Sequence, residues 1–331
     1  MNPMSLHELA AALVASRKGI LAADESESTM KKRFAPIGLE ANPENDRRYR
    51  DLLFSAPGIE LFLSGVILYD ETIRQTALSG TPFPTMLAER GIIPGIKVDT
   101  GLVLMEGSGC EEVSTGFDGL HDRLHTYYDL GARFTKWRSV IRIGDELPTD
   151  RAIHENAVIL AKYAKLVQMH DMVPMVEPEV LFDGAHTLAR SGEVLRETLR
   201  ALFAALALQE VDLRALILKT SMALPGKDSG VALEPMAIAQ ETVASLHAEV
   251  PENVAGVVFL SGGQSSDQAI NNLAAITAQG PYPWPLTFSY SRAIEEPVLA
   301  TWQGADTYRS QAQETLLHTL ARVAGATAVR A

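Results

Sequence analysis

Cysteine is almost missing from this chain of 331 residues: Cys110 is its one copy, which excludes an intrachain disulfide and fits a reducing compartment. Standing alone in Gly107-Ser-Gly-Cys-Glu-Glu112, it reads as structural filler, not as a nucleophile. Positive charge is also scarce. With 29 Lys and Arg against 41 Asp and Glu, the formal net charge is −12, which argues against nucleic acid or an anionic membrane as a general partner. An anionic substrate therefore needs cations gathered in one place. Long apolar runs are missing as well: the longest uncharged stretch, Gln268 to Ser291, is broken by asparagines and by Pro281, Pro283 and Pro285. No basic leader precedes Ser5-Leu6-His7-Glu8, a capping box that opens an amphipathic helix, so a cytoplasmic protein is expected. Neither Gly-x-Gly-x-x-Gly after the first strand nor a Walker-type phosphate loop occurs. There is no composition shift or long linker, so residues 1–331 read as a single domain.

What the chain does have is eight short apolar runs, near 18–24, 60–69, 92–99, 133–138, 172–181, 214–221, 255–263 and 284–292. Between them lies enough sequence for helices, with clear periodicity at about 116–130, 150–169, 192–209, 234–249 and 267–278, and final helices over about 304–324. A helix also starts at Asn42, a good cap followed by Pro43. Strands separated by helices pair in parallel through right-handed crossovers. Eight such units close most naturally into an α/β (β/α)8 TIM barrel, here with an extra N-terminal helix and extra C-terminal helices; an open doubly wound sheet is the runner-up.

The chemistry collects at one end of these runs, where barrel enzymes build their sites. Asp24 ends the first, Lys97 and Asp99 the third, Lys136 and Arg138 the fourth, Glu177 and Glu179 the fifth, Lys219 the sixth, Ser261-Gly262-Gly263 the seventh and Arg292 the eighth. Any one of these has a plain reading as a satisfied charge at a strand end. Together, Lys97, Lys136, Lys219 and Arg292 put four cations in one mouth of an acidic protein, which suits phosphate. A lysine among cations in a water-poor site loses affinity for its proton, and the neutral amine attacks ketones to give a Schiff base. Lys219 is the strongest candidate, because Leu216-Ile-Leu-Lys219 is the most apolar run. Glu177, beside Pro178 and among apolar neighbours, is expected to keep a proton near neutral pH and to act as the acid that dehydrates a carbinolamine. Glu179 points the same way and is expected to orient Glu177 or Lys219, while Asp24 is the candidate base for a substrate hydroxyl.

These motifs resemble the class I fructose-bisphosphate aldolases, the metal-independent Schiff-base lyases of glycolysis. The resemblance runs from Gly19-Ile-Leu-Ala-Ala-Asp-Glu-Ser26 through Gly95-Ile-Lys-Val-Asp99, Lys136-Trp-Arg138, Val176-Glu-Pro-Glu-Val-Leu181 and Leu218-Lys219. It continues in Phe259-Leu-Ser-Gly-Gly-Gln264 and Ser289-Tyr-Ser-Arg-Ala293. It implies reversible cleavage of fructose 1,6-bisphosphate to dihydroxyacetone phosphate and glyceraldehyde 3-phosphate, with no cofactor or metal, in a homo-oligomer that is commonly a tetramer. By the same resemblance Lys219 forms the Schiff base, Glu177 is its acid and base, Asp24 takes the C4 hydroxyl proton and Lys136 assists proton transfer. Ser261, Gly262 and Arg292 hold the phosphate of the dihydroxyacetone-phosphate half; Ser26, Thr29 and Lys97 hold the far one. Arg138 and Gly263 are counted with the phosphate-binding set.

The chain departs from the family's wording at Thr220-Ser221-Met222, where Pro-Asn-Met is common, and at Ser291, where a glycine is common before the arginine. Glu27 and Ser28 replace Thr-Gly, which puts Thr29 in a serine position. The last tyrosine is Tyr308 and the sequence closes with Ala326-Thr-Ala-Val-Arg-Ala331, so proton exchange by a terminal tyrosine is not expected to carry over from the resemblance. Those departures leave open a Schiff-base aldolase preferring fructose 1-phosphate or sedoheptulose bisphosphate, and a non-catalytic sugar-phosphate-binding barrel. His121 and His125 have metal-ligand spacing, but the motif holds no glutamate and charged residues surround it, so no metal site is expected. Lys31-Lys-Arg33 reads equally as a phosphate contact or a solvated basic turn.

Overall fold

A computed structural model describes residues 4–328; the last three residues of the closing hexapeptide, Val329 to Ala331, lie outside them. Ten strands are present among the described residues: β1 (Gly19–Ala23), β2 (Leu63–Leu68), β3 (Ile93–Lys97), β4 (Gly101–Leu104), β5 (Glu112–Thr115), β6 (Phe134–Ile141), β7 (Val173–Val180), β8 (Ile217–Thr220), β9 (Gly256–Phe259) and β10 (Leu286–Tyr290). Eight of them form a closed barrel in the order β1-β10-β9-β8-β7-β6-β3-β2, every pairing parallel, while β4 and β5 form a separate antiparallel hairpin. The eight apolar runs are the eight barrel strands. Helices pack outside, several of them started by a side-chain cap: Asn42 caps Pro43–Phe54, Thr149 caps Asp150–Gln168, Thr187 caps Leu188–Leu208, and a Ser265/Gln268 box starts Ser266–Thr277.

Because side chains alternate along a strand, each barrel strand sends one set inward and the other out to the helices. Ile20 and Ala22 of β1, Phe134 of β6, Val173 and Met175 of β7, Ile217 of β8 and Val258 of β9 meet in an inner apolar cluster. Leu9, Ala10, Leu13 and Val14 of the N-terminal helix Leu6–Leu13 and its end join the same cluster, so that helix plugs the barrel floor. The outward set, such as Leu21, Trp137, Val176, Leu218 and Phe259, packs under the helices in the larger outer core. Continuing the inward set two residues at a time reaches Asp24, Lys97, Lys136, Glu177 and Lys219. An apolar floor and an ionisable mouth thus come from one period-two pattern.

Four features differ from the sequence reading. The hairpin β4–β5 occupies ground that had no assigned element, and the helix expected from 116 is Leu120–Asp129. Lys31-Lys-Arg33, read equally as a basic turn, lies in the helix Glu27–Phe34, with Ser26 at its N-cap. Arg292, expected to end a strand, instead opens the helix Arg292–Trp302 one residue beyond Ser291; the Pro297 within it disguises its periodicity.

The floor leaves no slack. Gly95 lies opposite Phe134 in the β3–β6 register, and a Cβ there would stand 2.3 Å from the Phe134 ring. Gly95→Ala is expected to cost about 1–3 kcal/mol through overpacking, whereas Gly109→Ala, in open space, stays near neutral. The shift of the urea midpoint at unchanged m-value measures both.

Candidate active site

A cavity of about 250 Å³ opens at the C-terminal ends of the barrel strands and gathers residues from β1, β3, β6, β7, β8, β9 and β10 or the segments just after them. Asp24, Ser26, Thr29, Lys97, Lys136, Arg138, Glu177, Glu179, Lys219, Ser261, Gly262 and Arg292 all line it. Gly263 does not; it lies behind Arg292, whose guanidinium a Cβ at Gly263 would approach to 3.6 Å.

At the bottom of this cavity two lysines and two acids form a chain. Met175 pairs with Ile217 in the β7–β8 register, so two residues on, Glu177 and Lys219 face each other; Lys219 Nζ lies 3.1 Å from Glu177 Oε1. The other carboxylate oxygen, Oε2, lies 3.3 Å from Lys136 Nζ, which itself reaches Asp24 Oδ2 at 2.7 Å. Lys219, Glu177 and Lys136 are all buried. Burial alone pushes the Asp24 carboxyl up, yet Lys136 and Lys219 draw it down to about 2. Lys136 is held protonated against its own burial by Asp24, Glu177 and Asp99.

Glu177 departs from the expectation that it keeps a proton near neutral pH. Burial pushes its carboxyl up, but Lys136, Lys219 and Arg138 outweigh that and leave it below the ordinary range. Its apolar sequence neighbours point outward, and the cations come from other strands. Glu179 is also placed differently: its carboxylate takes Arg138 Nε at 2.5 Å, nearer the mouth, instead of orienting Glu177 or Lys219.

Around this chain stand the groups suited to phosphate. Lys97 Nζ lies 2.6 Å from Asp99 Oδ1, while Asp99 Oδ2 accepts the Arg138 backbone N–H at 3.2 Å, so Asp99 ties two strand ends together. The Ser26 and Thr29 hydroxyls lie 3.2 Å apart at the start of their helix, where backbone N–H groups favour anions. Gly262 and Gly263 both have positive φ, +56° and +92°, and turn the chain sharply after Ser261. Arg292 is exposed at the rim. Three polar lining residues, Glu25, Ser289 and Ser291, were not among the sequence candidates, and Arg33, left open between a phosphate contact and a basic turn, lines the cavity as well. Arg33 sits four residues after Thr29 on one helix face, a spacing that becomes legible only once that segment is known to be helical.

The family pattern described as fructose-bisphosphate aldolase class-I matches residues 5–330. The chain belongs to that family. A probable fructose-bisphosphate aldolase class 1 of Xylella fastidiosa is 49% identical over 302 residues, covering 91% of this chain and 90% of that protein. The cytosolic fructose-bisphosphate aldolase 4 of Arabidopsis thaliana is 46% identical over 301 residues, 91% of this chain and 77% of its own length. The solved fructose-bisphosphate aldolase of Plasmodium falciparum, crystallised with TRAP and a small-molecule inhibitor, superposes with a TM-score of 0.96 at 45% identity, covering 97% and 93% of the two chains.

In this aldolase, the paired state of Asp24 sets an acid sensitivity. Its folded pKa is lowered from 3.8 to about 2, so its contribution to stability is complete above about pH 4 and is lost as pH falls toward 2. Asp24→Asn is expected to flatten that part of the curve of urea midpoint against pH, measured from pH 5 to pH 2.

Proposed function

We propose that Lys219 is the amine through which this class I aldolase performs the reversible cleavage of fructose 1,6-bisphosphate to dihydroxyacetone phosphate and glyceraldehyde 3-phosphate. The observation that carries the reading is the 3.1 Å contact between Lys219 Nζ and a Glu177 carboxylate that is otherwise held by Lys136. An ion pair at that distance is also a proton-transfer pair. Passing one proton from the ammonium to Glu177 yields a neutral amine and a carboxylic acid, and with one cationic neighbour gone, burial raises the proton affinity of Glu177. The amine then adds to the substrate C2 ketone. Glu177 returns the proton to the carbinolamine hydroxyl, which leaves as water, and an iminium remains.

The Asp24 carboxylate, kept charged by Lys136, takes the proton of the C4 hydroxyl. The C3–C4 bond breaks, its electron pair flows into the iminium, and the aldehyde product departs from an enamine. Protonation at C3 and addition of water reverse the first steps and release dihydroxyacetone phosphate. Lys136, within 3.3 Å of both Asp24 and Glu177, lets a proton pass between the two acids without leaving a bare charge in the barrel.

In this reading Ser261, Gly262 and Arg292 hold the phosphate of the ketone half, and Ser26, Thr29, Lys97 and Arg138 the far end. Glu179 acts through Arg138. A homo-oligomer, a tetramer by family analogy, and a cytoplasmic location belong to the same proposal; among the described residues no helix is long and apolar enough to cross a membrane. Fructose 1-phosphate or sedoheptulose bisphosphate as the preferred sugar is the alternative, and kcat/KM across the three sugars separates them.

Borohydride added with dihydroxyacetone phosphate is expected to fix a three-carbon unit on Lys219, read by peptide mass, and Lys219→Met is expected to abolish both label and turnover. An unlabelled Lys219 in active protein overturns the assignment. Glu177→Gln is expected to slow turnover by about two orders of magnitude or more, the usual scale for a positioned acid and base, while leaving substrate KM within a few-fold. Turnover is expected to survive EDTA.

A further inference from the structure

The cavity wall beside Arg292 carries a set of contacts that the reaction does not use. Ser291 Oγ donates to Glu25 Oε1 at 2.6 Å and accepts from Arg33 Nη2 at 2.9 Å. The same Arg33 nitrogen also reaches Glu25 Oε1, at 3.2 Å. The second Glu25 oxygen is taken by the buried Arg50 at 2.7 Å. Behind them lies Glu295, fully buried, with Tyr49 donating to it at 3.2 Å. Burial first, and then the charge of Glu25, push the Glu295 carboxyl up to about 8. Glu25 is therefore the anionic member of the pair, and it faces the cavity.

A carboxylate in the wall of a phosphate pocket is a liability, because it repels the dianion the pocket exists to hold. The Ser291 hydroxyl changes that in two ways. It covers Glu25 Oε1 with a donor, and it gives the Arg33 guanidinium a second support, on the residue joined directly to Arg292. Arg33 Nη1 is buried and has no hydrogen-bond partner among the described residues; a carboxylate oxygen of the exposed Glu296 lies 3.8 Å from it. One arm of the guanidinium is anchored and the other is uncommitted.

We propose that Ser291 is a positioning residue that sets phosphate affinity: its hydroxyl shields Glu25 and holds Arg33 beside Arg292, so that both guanidinium groups serve the phosphate on the ketone half of the substrate. This rests on the reading of the site given above. Both effects have the same sign, so loss of the hydroxyl weakens phosphate binding while leaving the lysine chemistry in place. A glycine, as is common before this arginine in the resembling family, offers no such cover.

The test uses full-length enzyme carrying Ser291→Ala, Ser291→Gly or Ser291→Thr, with kcat and KM for fructose 1,6-bisphosphate and inhibition by inorganic phosphate. Losing a hydrogen bond to a charged group is expected to raise both KM and the phosphate inhibition constant by about threefold or more in Ser291→Ala and Ser291→Gly, with kcat changing less than KM. Ser291→Thr, which keeps the hydroxyl, is expected to restore both constants toward the unaltered enzyme. Changes below threefold in both hydroxyl-free variants overturn the proposal, as does a loss confined to kcat. Borohydride labelling of Lys219 in the same variants keeps the two readings apart: full labelling with unaltered KM sinks the role of Ser291 and leaves the Schiff-base assignment standing.

Discussion

Everything in the barrel mouth depends on one electrostatic constraint: ammonium ions and carboxylates buried together must neutralise one another. Lys219, Glu177, Lys136 and Asp24 do so in a line, two cations and two anions alternating at 3.1, 3.3 and 2.7 Å. Removing any one charge leaves its neighbour uncompensated in a site with little water, so the four are best regarded as one titrating unit. In the proposed mechanism, that coupling is what lets a resting carboxylate serve as an acid. Glu177 is held deprotonated by Lys136, Lys219 and Arg138 together, and in the proposed mechanism the Lys219 nitrogen is neutral only in the amine and carbinolamine that precede the iminium.

Much of this was legible in the sequence because barrel geometry turns strand ends into a site. Lys219, Glu177, Lys136 and Asp24 could be singled out because each follows an apolar run and shares its inward parity; Ile217 and Lys219, or Met175 and Glu177, are spaced by two. The proton state of Glu177 was not legible, because its Pro178 and apolar neighbours describe the outer face of β7, whereas its charge is decided by residues 41 and 42 positions away along the chain, Lys136 and Lys219. The Glu25, Arg33 and Ser291 contacts were equally hidden. They join chain segments 258 and 266 residues apart, and Arg33 belongs to a helix whose polar composition gave no apolar stripe to read. The β4–β5 hairpin escaped for the related reason that its exposed Val103 and Leu104 lack the alternation of a half-buried ribbon.

The inner apolar cluster has a role beyond stability. Phe134 spreads over the space that Gly95 vacates, and Leu13 and Val14 press up from below, so the inward residues just above them stand on a packed base. Lys136 is two residues above Phe134 and Lys219 two above Ile217. The rigidity that the proposed reacting amine needs thus comes from the residues directly beneath it in the same strands.

That floor also makes the barrel a chamber with one door. The helix Leu6–Leu13 stops the far end, so substrate and both products share the opening at the strand ends. In the cleavage direction the aldehyde half is free as soon as the carbon–carbon bond breaks, while the ketone half is still tethered to the floor by its bond to nitrogen. Departure is therefore ordered by geometry, with the untethered product leaving first and the tethered one only after water has followed it inward.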